Sequence, residues 1–203
     1  MKILETLEVG PYQVNCTLVD ALGKTLVIDP GSEAEAILAA LQKSARTLDA
    51  ILLTHAHFDH IGAVNHLEKA FPGVAVYVGE KDRDVLTHPL NQCPPDYPAI
   101  ARPKNLRVAE KEAGAFGCEV LPTPGHTPGG VSYLFKDEKI LFSGDTLFAG
   151  SVGRTDFPGG DMATLRESLR RLAALDEATR VIPGHGPETT IGDEKESNPF
   201  LQF

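Results

Sequence analysis

The sequence is poor in cysteine and has no long apolar run. Its three cysteines are an odd number and form no CxxC pair, which disfavours a secreted disulfide framework and predicts a reduced, cytoplasmic protein. No stretch of about 18 apolar residues occurs, so no membrane-spanning helix is expected. The first ten residues, MKILETLEVG, carry Glu5 and Glu8 and lack the apolar core of a signal peptide.

The sequence also lacks the positive charge that nucleic-acid binding requires. Asp and Glu number 28 against 19 Lys and Arg, and the formal net charge of −9 repels phosphate backbones. The expected partner is therefore a small-molecule substrate, with neither nucleic acid nor membrane. A length of 203 residues predicts one domain over 1–203, and the sequence does not indicate the oligomeric state.

Short apolar runs predict an alternation of strands and helices. KILETLEV, QVNCTLVD and KTLVID, separated by the turns GPY and LGK, predict three strands of a meander. LDAILLT, VAVYV, EVLPT, VSYLFK, KILFSG and, as the last strand, TRVIP follow. Sheet covered by helices is the expected result, an α/β layered domain.

Helices are expected at four places between these strands. Ser32 and Glu35 have capping-box spacing and predict a helix over 33–45. A second helix is expected from about Asp59 to Ala70, a short one over EKDRDVL, and a fourth over 162–175 with Asp161 as its cap. The Pro-rich stretch 89–103 predicts a long surface loop beside the site.

The segment THAHFDH, residues 54–60, holds three of the seven histidines. His55 and His57 are two residues apart, so on an extended segment their side chains point the same way. Asp59 and His60 leave the following turn in a different direction. Polar groups crowded at a strand end are unfavourable unless a cation compensates them, so the segment predicts a metal site that can feed two ions.

Four more polar side chains follow apolar strands, namely Asp29, His126, Asp145 and His185. Ligands bind at the carboxyl ends of strands in layered sheets, so these side chains are expected beside THAHFDH. None of the expected ligands is cysteine, which favours an open catalytic site over a closed structural one. For Asp29 two interpretations stay open, a turn residue of Asp-Pro-Gly or a residue that orients a ligand.

These motifs together closely resemble the metallo-β-lactamase superfamily over essentially the whole chain. The stretches VGRTDFPGGD, PGHGPETT and NPFL are similar to small bacterial hydrolases of the glyoxalase II (hydroxyacylglutathione hydrolase) type. The resemblance implies a four-layer αβ/βα sandwich and two divalent metal ions, first zinc, with iron or manganese as alternatives. It assigns His55, His57 and His126 to one ion, Asp59, His60 and His185 to the other, and Asp145 to both.

The implied activity is hydrolysis of a thioester such as hydroxyacylglutathione. A hydroxide that bridges the two metals would attack the carbonyl, with Asp59 and Asp145 as the catalytic residues beside the metal-bound water. Full-length glyoxalase II enzymes carry a C-terminal helical domain that helps to hold glutathione, and with 18 residues after His185 that domain is not expected here. Of the expected glutathione contacts, Arg154 alone is able to pair with a carboxylate.

An oxidoreductase is the alternative. Persulfide dioxygenases share this fold and a GRTDF stretch, and they hold one iron by two histidines and a carboxylate. In this chain that triad would be His55, His126 and Asp145, which are also ligands of the binuclear arrangement. The PGHGP context of His185 favours the hydrolase.

Overall fold

The computed structural model describes residues 1–89 and 100–203, which form two stacked β-sheets and their covering helices. The strands are β1 (Lys2–Val9), β2 (Val14–Ala21), β3 (Lys24–Ile28), β4 (Ala50–Leu52), β5 (Ala75–Val78), β6 (Leu106–Val108), β7 (Glu119–Pro122), β8 (Val131–Phe135), β9 (Ile140–Gly144), β10 (Leu147–Phe148), β11 (Ser151–Val152), β12 (Arg180–Pro183) and β13 (Thr189–Thr190). The α-helices are α1 (Ala34–Lys43), α2 (Phe58–Ile61), α3 (Val64–Ala70), α4 (Ala109–Glu112), α5 (Met162–Ala173) and α6 (Ile191–Ser197). Single 3-10 turns cover Glu80–Asp82, Val85–Thr87, Ala113–Phe116 and Pro199–Leu201.

The first sheet has six strands in chain order, from β1 to β6. Strands β1, β2 and β3 pair antiparallel, which confirms the predicted meander. Strands β3 to β6 then run parallel to one another. The carboxyl ends of β3, β4 and β5 therefore lie side by side at one edge of the sheet.

The second sheet has five strands in the order β13-β12-β9-β8-β7, and β10 and β11 form a separate hairpin. Strands β9 and β12 run parallel, and the other neighbours pair antiparallel. The residues that follow β9 and β12 therefore leave the sheet at the same edge.

Successive side chains along each strand point to opposite faces of its sheet. One apolar layer therefore lies between the sheets, and another covers the outer face of each sheet. Leu26, Ile28 and Leu52 from the first sheet share the inner layer with Tyr133 and Phe142 from the second. The outer face of the first sheet packs against α1 and α3, and that of the second against α5 and α6. The order helix, sheet, sheet, helix is the expected four-layer αβ/βα sandwich.

Several predicted elements differ from the structure. The capping box is wrong, because Glu33 is the N-cap of α1 in a left-handed conformation (φ 53°) and its carboxylate accepts from the Gly10 N–H at 3.2 Å. The helix expected after THAHFDH is broken into α2 and α3, and EKDRDVL forms two 3-10 turns. TRVIP is not the last strand, since β13 follows it.

Two other predictions have a different outcome. The Asp161 carboxylate accepts from the Thr164 N–H, so the predicted cap of α5 is confirmed. Most of the Pro-rich stretch, residues 90–99, lies outside the described residues. None of the helices in the described ranges is long and apolar enough to cross a bilayer.

Two contacts join the sheets near the edge where the polar loops emerge. Asn15 on β2 donates its Nδ2 hydrogens to the carbonyl oxygens of Pro183 (3.0 Å) and Gly186 (2.9 Å). The buried Tyr133 hydroxyl on β8 donates to the Leu53 carbonyl at 2.8 Å. The loop after β12 is thereby held to the first sheet, and the end of β4 is held to the second sheet.

Candidate metal centre

Seven side chains with metal-ligand chemistry converge where the two sheets meet. The first sheet supplies four of them, from the loop after β4 and from α2, and the second sheet supplies three, from the loops after β7, β9 and β12. These residues are His55, His57, Asp59, His60, His126, Asp145 and His185. The structure thus brings together every predicted ligand, and their function as ligands stays a prediction.

The first donor group consists of His55, His57 and His126. One ring nitrogen of each lies within 4.8 Å of the others. His57 Nδ1 is 2.8 Å from His126 Nε2, and the His55 ring centroid is 4.8 Å from each of the other two. All three residues are at most 8% exposed. The group therefore forms an enclosed three-nitrogen cluster.

The second donor group consists of Asp59, His60 and His185, with ligand atoms again within 4.8 Å of one another. His185 Nε2 lies 3.3 Å from Asp59 Oδ2 and 3.3 Å from His60 Nε2. The His185 side chain is 25% exposed, whereas that of His60 is fully buried. This group therefore opens to the surface on the His185 side.

Asp145 lies between the two groups. Its Oδ2 is 3.5 Å from His126 Nε2 and 3.5 Å from His185 Nε2, and its Oδ1 is 3.3 Å from His60 Nε2. One carboxylate therefore faces nitrogens of both donor groups, as a bridging ligand would.

Hydrogen bonds outside the cluster fix the tautomers of two histidines. His126 Nδ1–H donates to the Arg154 carbonyl at 2.7 Å, and His185 Nδ1–H donates to the Tyr12 carbonyl at 2.7 Å. A carbonyl oxygen only accepts, so the proton of each neutral ring is on Nδ1. The lone pair of each ring is on Nε2, which faces the cluster.

Asp29 fixes two more histidines. Its Oδ2 accepts from His60 Nδ1–H at 3.0 Å and from the Thr54 hydroxyl at 2.6 Å. The Thr54 hydrogen is used in that bond, so its oxygen accepts from His55 Nδ1–H at 3.1 Å. Both rings then present Nε2 lone pairs to the centre. The contacts of Asp29 fit a residue that orients ligands and exceed those of a turn residue.

Two buried atoms at the centre lack a hydrogen-bond partner among the described residues and could bind a cation. His55 Nε2 and Asp145 Oδ1 are buried without a hydrogen-bond partner, and both carry lone pairs. Buried lone pairs are costly unless a cation or a proton compensates them. The donor set of nitrogen and oxygen atoms suits zinc, iron or manganese.

The electrostatics of the protein without metal agree with that fit. Burial and the neighbouring His126 lower the pKa of His57 to about 3, so this ring stays a neutral donor. Burial opposes the charge of His185, but hydrogen bonds to Asp145 and Asp59 outweigh it and raise its pKa to about 10. With Nδ1 already protonated, the added proton is on Nε2, the position of a metal. Metal binding therefore displaces protons.

Two glycines allow the backbone to approach the cluster closely. A Cβ at Gly184 would lie 2.1 Å from Asp145 Oδ1, and one at Gly144 would lie 2.3 Å from Thr54 Oγ1. Gly144 also has a φ of +52°, which disfavours other residues. A larger residue at either position would clash with the residues that hold the cluster.

The structure places Arg154 beside the first donor group. Its carbonyl holds His126, and its guanidinium forms two 2.7 Å bonds to Asp156 and lies 3.9 Å from the Phe157 ring centroid. The Phe157 ring in turn contacts His57 edge-on, with centroids 5.6 Å apart. Arg154 thus supports His126 through its carbonyl and contacts Phe157, which packs against His57.

Sequence patterns missed three residues that hold the ligand loops, namely Tyr12, Asn15 and Asp82. Tyr12 acts through a backbone carbonyl, which no residue pattern reveals. Asp82 had a usable signal, because it follows β5 at the same edge of the sheet as Asp29 and His55. It lies four residues after Val78, the last residue of β5, whereas Asp29 comes directly after β3.

Comparison with known proteins agrees with the fold. Residues 9–185 match the metallo-β-lactamase superfamily. The chain is 39% identical over 207 residues to the hydroxyacylglutathione hydrolase GloC of Haemophilus influenzae, covering 98% of this chain and 97% of that protein.

Two crystal structures are also similar to this chain. The di-iron-bound form of TTHA1623 is 42% identical with a TM-score of 0.90, covering 97% of this chain and all of that one. The B3 metallo-β-lactamase BLEG-1 is 41% identical with a TM-score of 0.88, covering 98% and 99%. With its sandwich fold, its paired donor groups and this match, the chain belongs to the metallo-β-lactamase superfamily of metal-dependent hydrolases.

Proposed function

We propose that the protein is a single-domain, binuclear metal-dependent thioesterase that acts on small substrates of the hydroxyacylglutathione class. The observation that carries the proposal is the pair of three-donor groups joined by Asp145. The similarity to the hydroxyacylglutathione hydrolase GloC, at 39% identity over nearly the full length of both chains, supports the substrate class.

In this proposal His55, His57 and His126 hold one divalent ion, Asp59, His60 and His185 hold the other, and Asp145 contacts both. Zinc is the first expectation, and iron or manganese are the alternatives. Ions held there would supply Lewis acidity, since a bound divalent cation lowers the pKa of water from 15.7 to about 7.

Side chains of this protein orient the ligands and handle the proton of the attacking water. Asp29 keeps the proton of His60 on Nδ1, so that Nε2 stays directed at the cluster. Asp59 lies at the open side beside His185, and His60 and His185 keep its pKa below the usual range although burial opposes this. An ionised carboxylate at that position would orient the attacking water and accept a proton from it. The buried first group keeps solvent from the opposite side.

Arg154 is the proposed contact for a carboxylate of the substrate. Its ion pair with Asp156 is exposed on both sides, and such pairs are weak because water screens them. A substrate carboxylate is therefore able to replace Asp156. Replacing Arg154 with Gln should raise KM for glutathione thioesters with little change in kcat.

The cellular context follows from the same chemistry. Cys16 and Cys118 are buried free thiols, which fits a reducing compartment, and we place the protein in the cytoplasm. The negative net charge favours a small-molecule substrate over nucleic acid.

Metal analysis combined with a substrate panel tests the proposal. We expect two metal ions per chain and a kcat/KM for a hydroxyacylglutathione at least about 100-fold above that for a β-lactam, because binding energy is realised only with the matching substrate. A preference for β-lactams would instead assign the activity suggested by the similarity to BLEG-1. One iron per chain with oxygen uptake on a persulfide would overturn the proposal in favour of a dioxygenase.

A further inference from the structure

Asp82 is a fully buried carboxylate that connects two ligand loops. Its Oδ2 accepts from the Ala56 N–H at 3.1 Å, and its Oδ1 accepts from the Gly129 N–H at 2.6 Å. Ala56 lies between His55 and His57, and Gly129 is three residues after His126. One side chain therefore ties together the two backbones that supply the entire first donor group.

The turn that carries Asp82 fits tightly against the His126 loop. A Cβ at Gly129 would lie 2.3 Å from the Asp82 N atom and 2.8 Å from its Oδ1, and a Cβ at Gly79 would lie 1.8 Å from the Gly129 carbonyl oxygen. Real side chains do not tolerate such distances, so both positions require glycine. The turn that carries Asp82 and the loop that carries His126 are thus in direct backbone contact, which a glycine on each side permits.

The charge of Asp82 has no ion-pair partner from Lys or Arg within residues 1–89 and 100–203. Burial raises the pKa of its carboxyl. The Thr127 side chain, the backbone N–H groups of Gly129 and Ala56 and the nearby His126 act in the opposite direction by stabilising the ionised form. A buried carboxylate without a cationic partner is costly, and it is favoured where a cation lies close by. The first donor group is the neighbouring place for such a cation.

We propose that Asp82 is a positioning residue that sets the spacing of His55, His57 and His126 and thereby the affinity of that group for its metal. The inference rests on the proposed assignment of this group as a metal site. Asp82 acts on the first group alone, through two backbone N–H groups, whereas Asp29 holds His60 of the second group directly and His55 of the first through Thr54. Loss of Asp82 should therefore weaken one metal site selectively.

Cobalt(II) titration followed by its visible absorption bands tests this selectivity. The chain is first reduced to one site at a time, with His185→Ala leaving the first group and His57→Ala leaving the second. Asp82→Asn is then added to each, because it keeps the shape but places an NH₂ group against a backbone donor. We expect about 10–100-fold weaker cobalt binding in the His185→Ala background, the usual effect of losing a partner that holds a ligand. Binding in the His57→Ala background should stay within about twofold.

A matched control separates this effect from a general disturbance of the turn. Asp84→Asn changes an exposed aspartate two residues farther on, whose side chain is 93% exposed, and should leave both affinities unchanged. Rescue by Asp82→Glu, which restores the charge at a longer reach, would support positioning if part of the affinity and the absorption spectrum return.

Two outcomes overturn the inference. If Asp82→Asn leaves cobalt binding unchanged in the His185→Ala background, the spacing of His55, His57 and His126 does not depend on Asp82. Equal losses at both sites, together with a lower thermal midpoint of the metal-free protein, show that Asp82 serves stability alone. Failure of the wild-type chain to bind two cobalt ions would instead remove the proposed function, so the two failures are distinguishable.

Discussion

The two donor groups of the centre have the same number of ligands and opposite relations to solvent. His55, His57 and His126 are 2%, 8% and 6% exposed, and their loops are fixed by backbone hydrogen bonds to a buried carboxylate. In the second group the His185 side chain is 25% exposed. The first group is thus the enclosed base of the centre, and the second group is the side open to solvent.

The groups also differ in what holds their histidines. The first depends on Asp82, which binds the backbone beside His55, His57 and His126, and on the Arg154 carbonyl, which accepts from His126. The second depends on Asp29 and on the segment around Tyr12 and Asn15, before and within β2. Asp29 also reaches His55 of the first group through Thr54, so Asp82 and Asn15 are the contacts whose loss should affect one group and spare the other.

The largest effect is expected where the two groups share a ligand. Asp145→Ala should weaken both metals at once and lower turnover on the order of 10⁴-fold, as for residues that act as a unit. Metal content after dialysis and steady-state kinetics measure this, with the exposed Asp137→Ala on the β8–β9 turn as control. Full metal content and turnover in Asp145→Ala would contradict a bridging position.

Removing one ligand from each group should separate them. His57→Ala and His185→Ala should each retain about one metal ion per chain, with turnover reduced by more than the ~10–100-fold typical of outer partners. Metal analysis and kinetics provide the measurement, and His66→Ala, an exposed histidine on α3, is the control. Loss of both ions from either variant would show that the groups are not independent sites.

A smaller effect is expected from Asp29→Asn. The amide places hydrogens against the Thr54 hydroxyl and His60 Nδ1, so affinity of the second group should fall about 10–100-fold. The first group should lose less, because Asp29 reaches His55 only through Thr54. The buried Thr54 N–H also loses a charged acceptor, which should cost about 1–3 kcal/mol of unfolding free energy. Cobalt titration and urea unfolding check both values. A loss confined to the first group would reverse the assignment of Asp29.

The smallest effect is expected from Asn15→Ala. It removes two hydrogen bonds to the His185 loop, worth about 1–2 kcal/mol of unfolding free energy in total, and should weaken only the second group by a few-fold. Asn105→Ala removes a similar bond to Gly73 far from the centre and is the matched control. Equal weakening of both groups by Asn15→Ala would show that the loops respond as one body.

The layered fold and the convergence of the ligands could be predicted from the sequence because both depend on local patterns. Alternation in the strands places Leu26 and Ile28 on one face, and polar residues directly after strands locate the edge of the sheet where ligands gather. The Asp161 cap was predictable for the same reason, since its partner Thr164 is three residues away.

The remaining features depend on contacts between distant segments. The Ser32 and Glu35 pattern failed because Glu33 turns left-handed and reaches Gly10, 23 residues earlier. Asp82 was missed because its partners are backbone N–H groups 26 and 47 residues away, which no spacing rule connects. Strands β10, β11 and β13 have two residues each, too few to show a hydrophobic period.

Asn15 lies where the two sheets are joined beside the centre. It extends from the first sheet to the loop that carries His185, and the ligands of both groups come from both sheets, so each bound ion would cross-link the same seam. Pulling the sheets apart at this edge would require the ligands and the Asn15 bonds to break together. A loaded centre would therefore resist opening at the seam more than the rest of the interface does, and local unfolding would begin elsewhere.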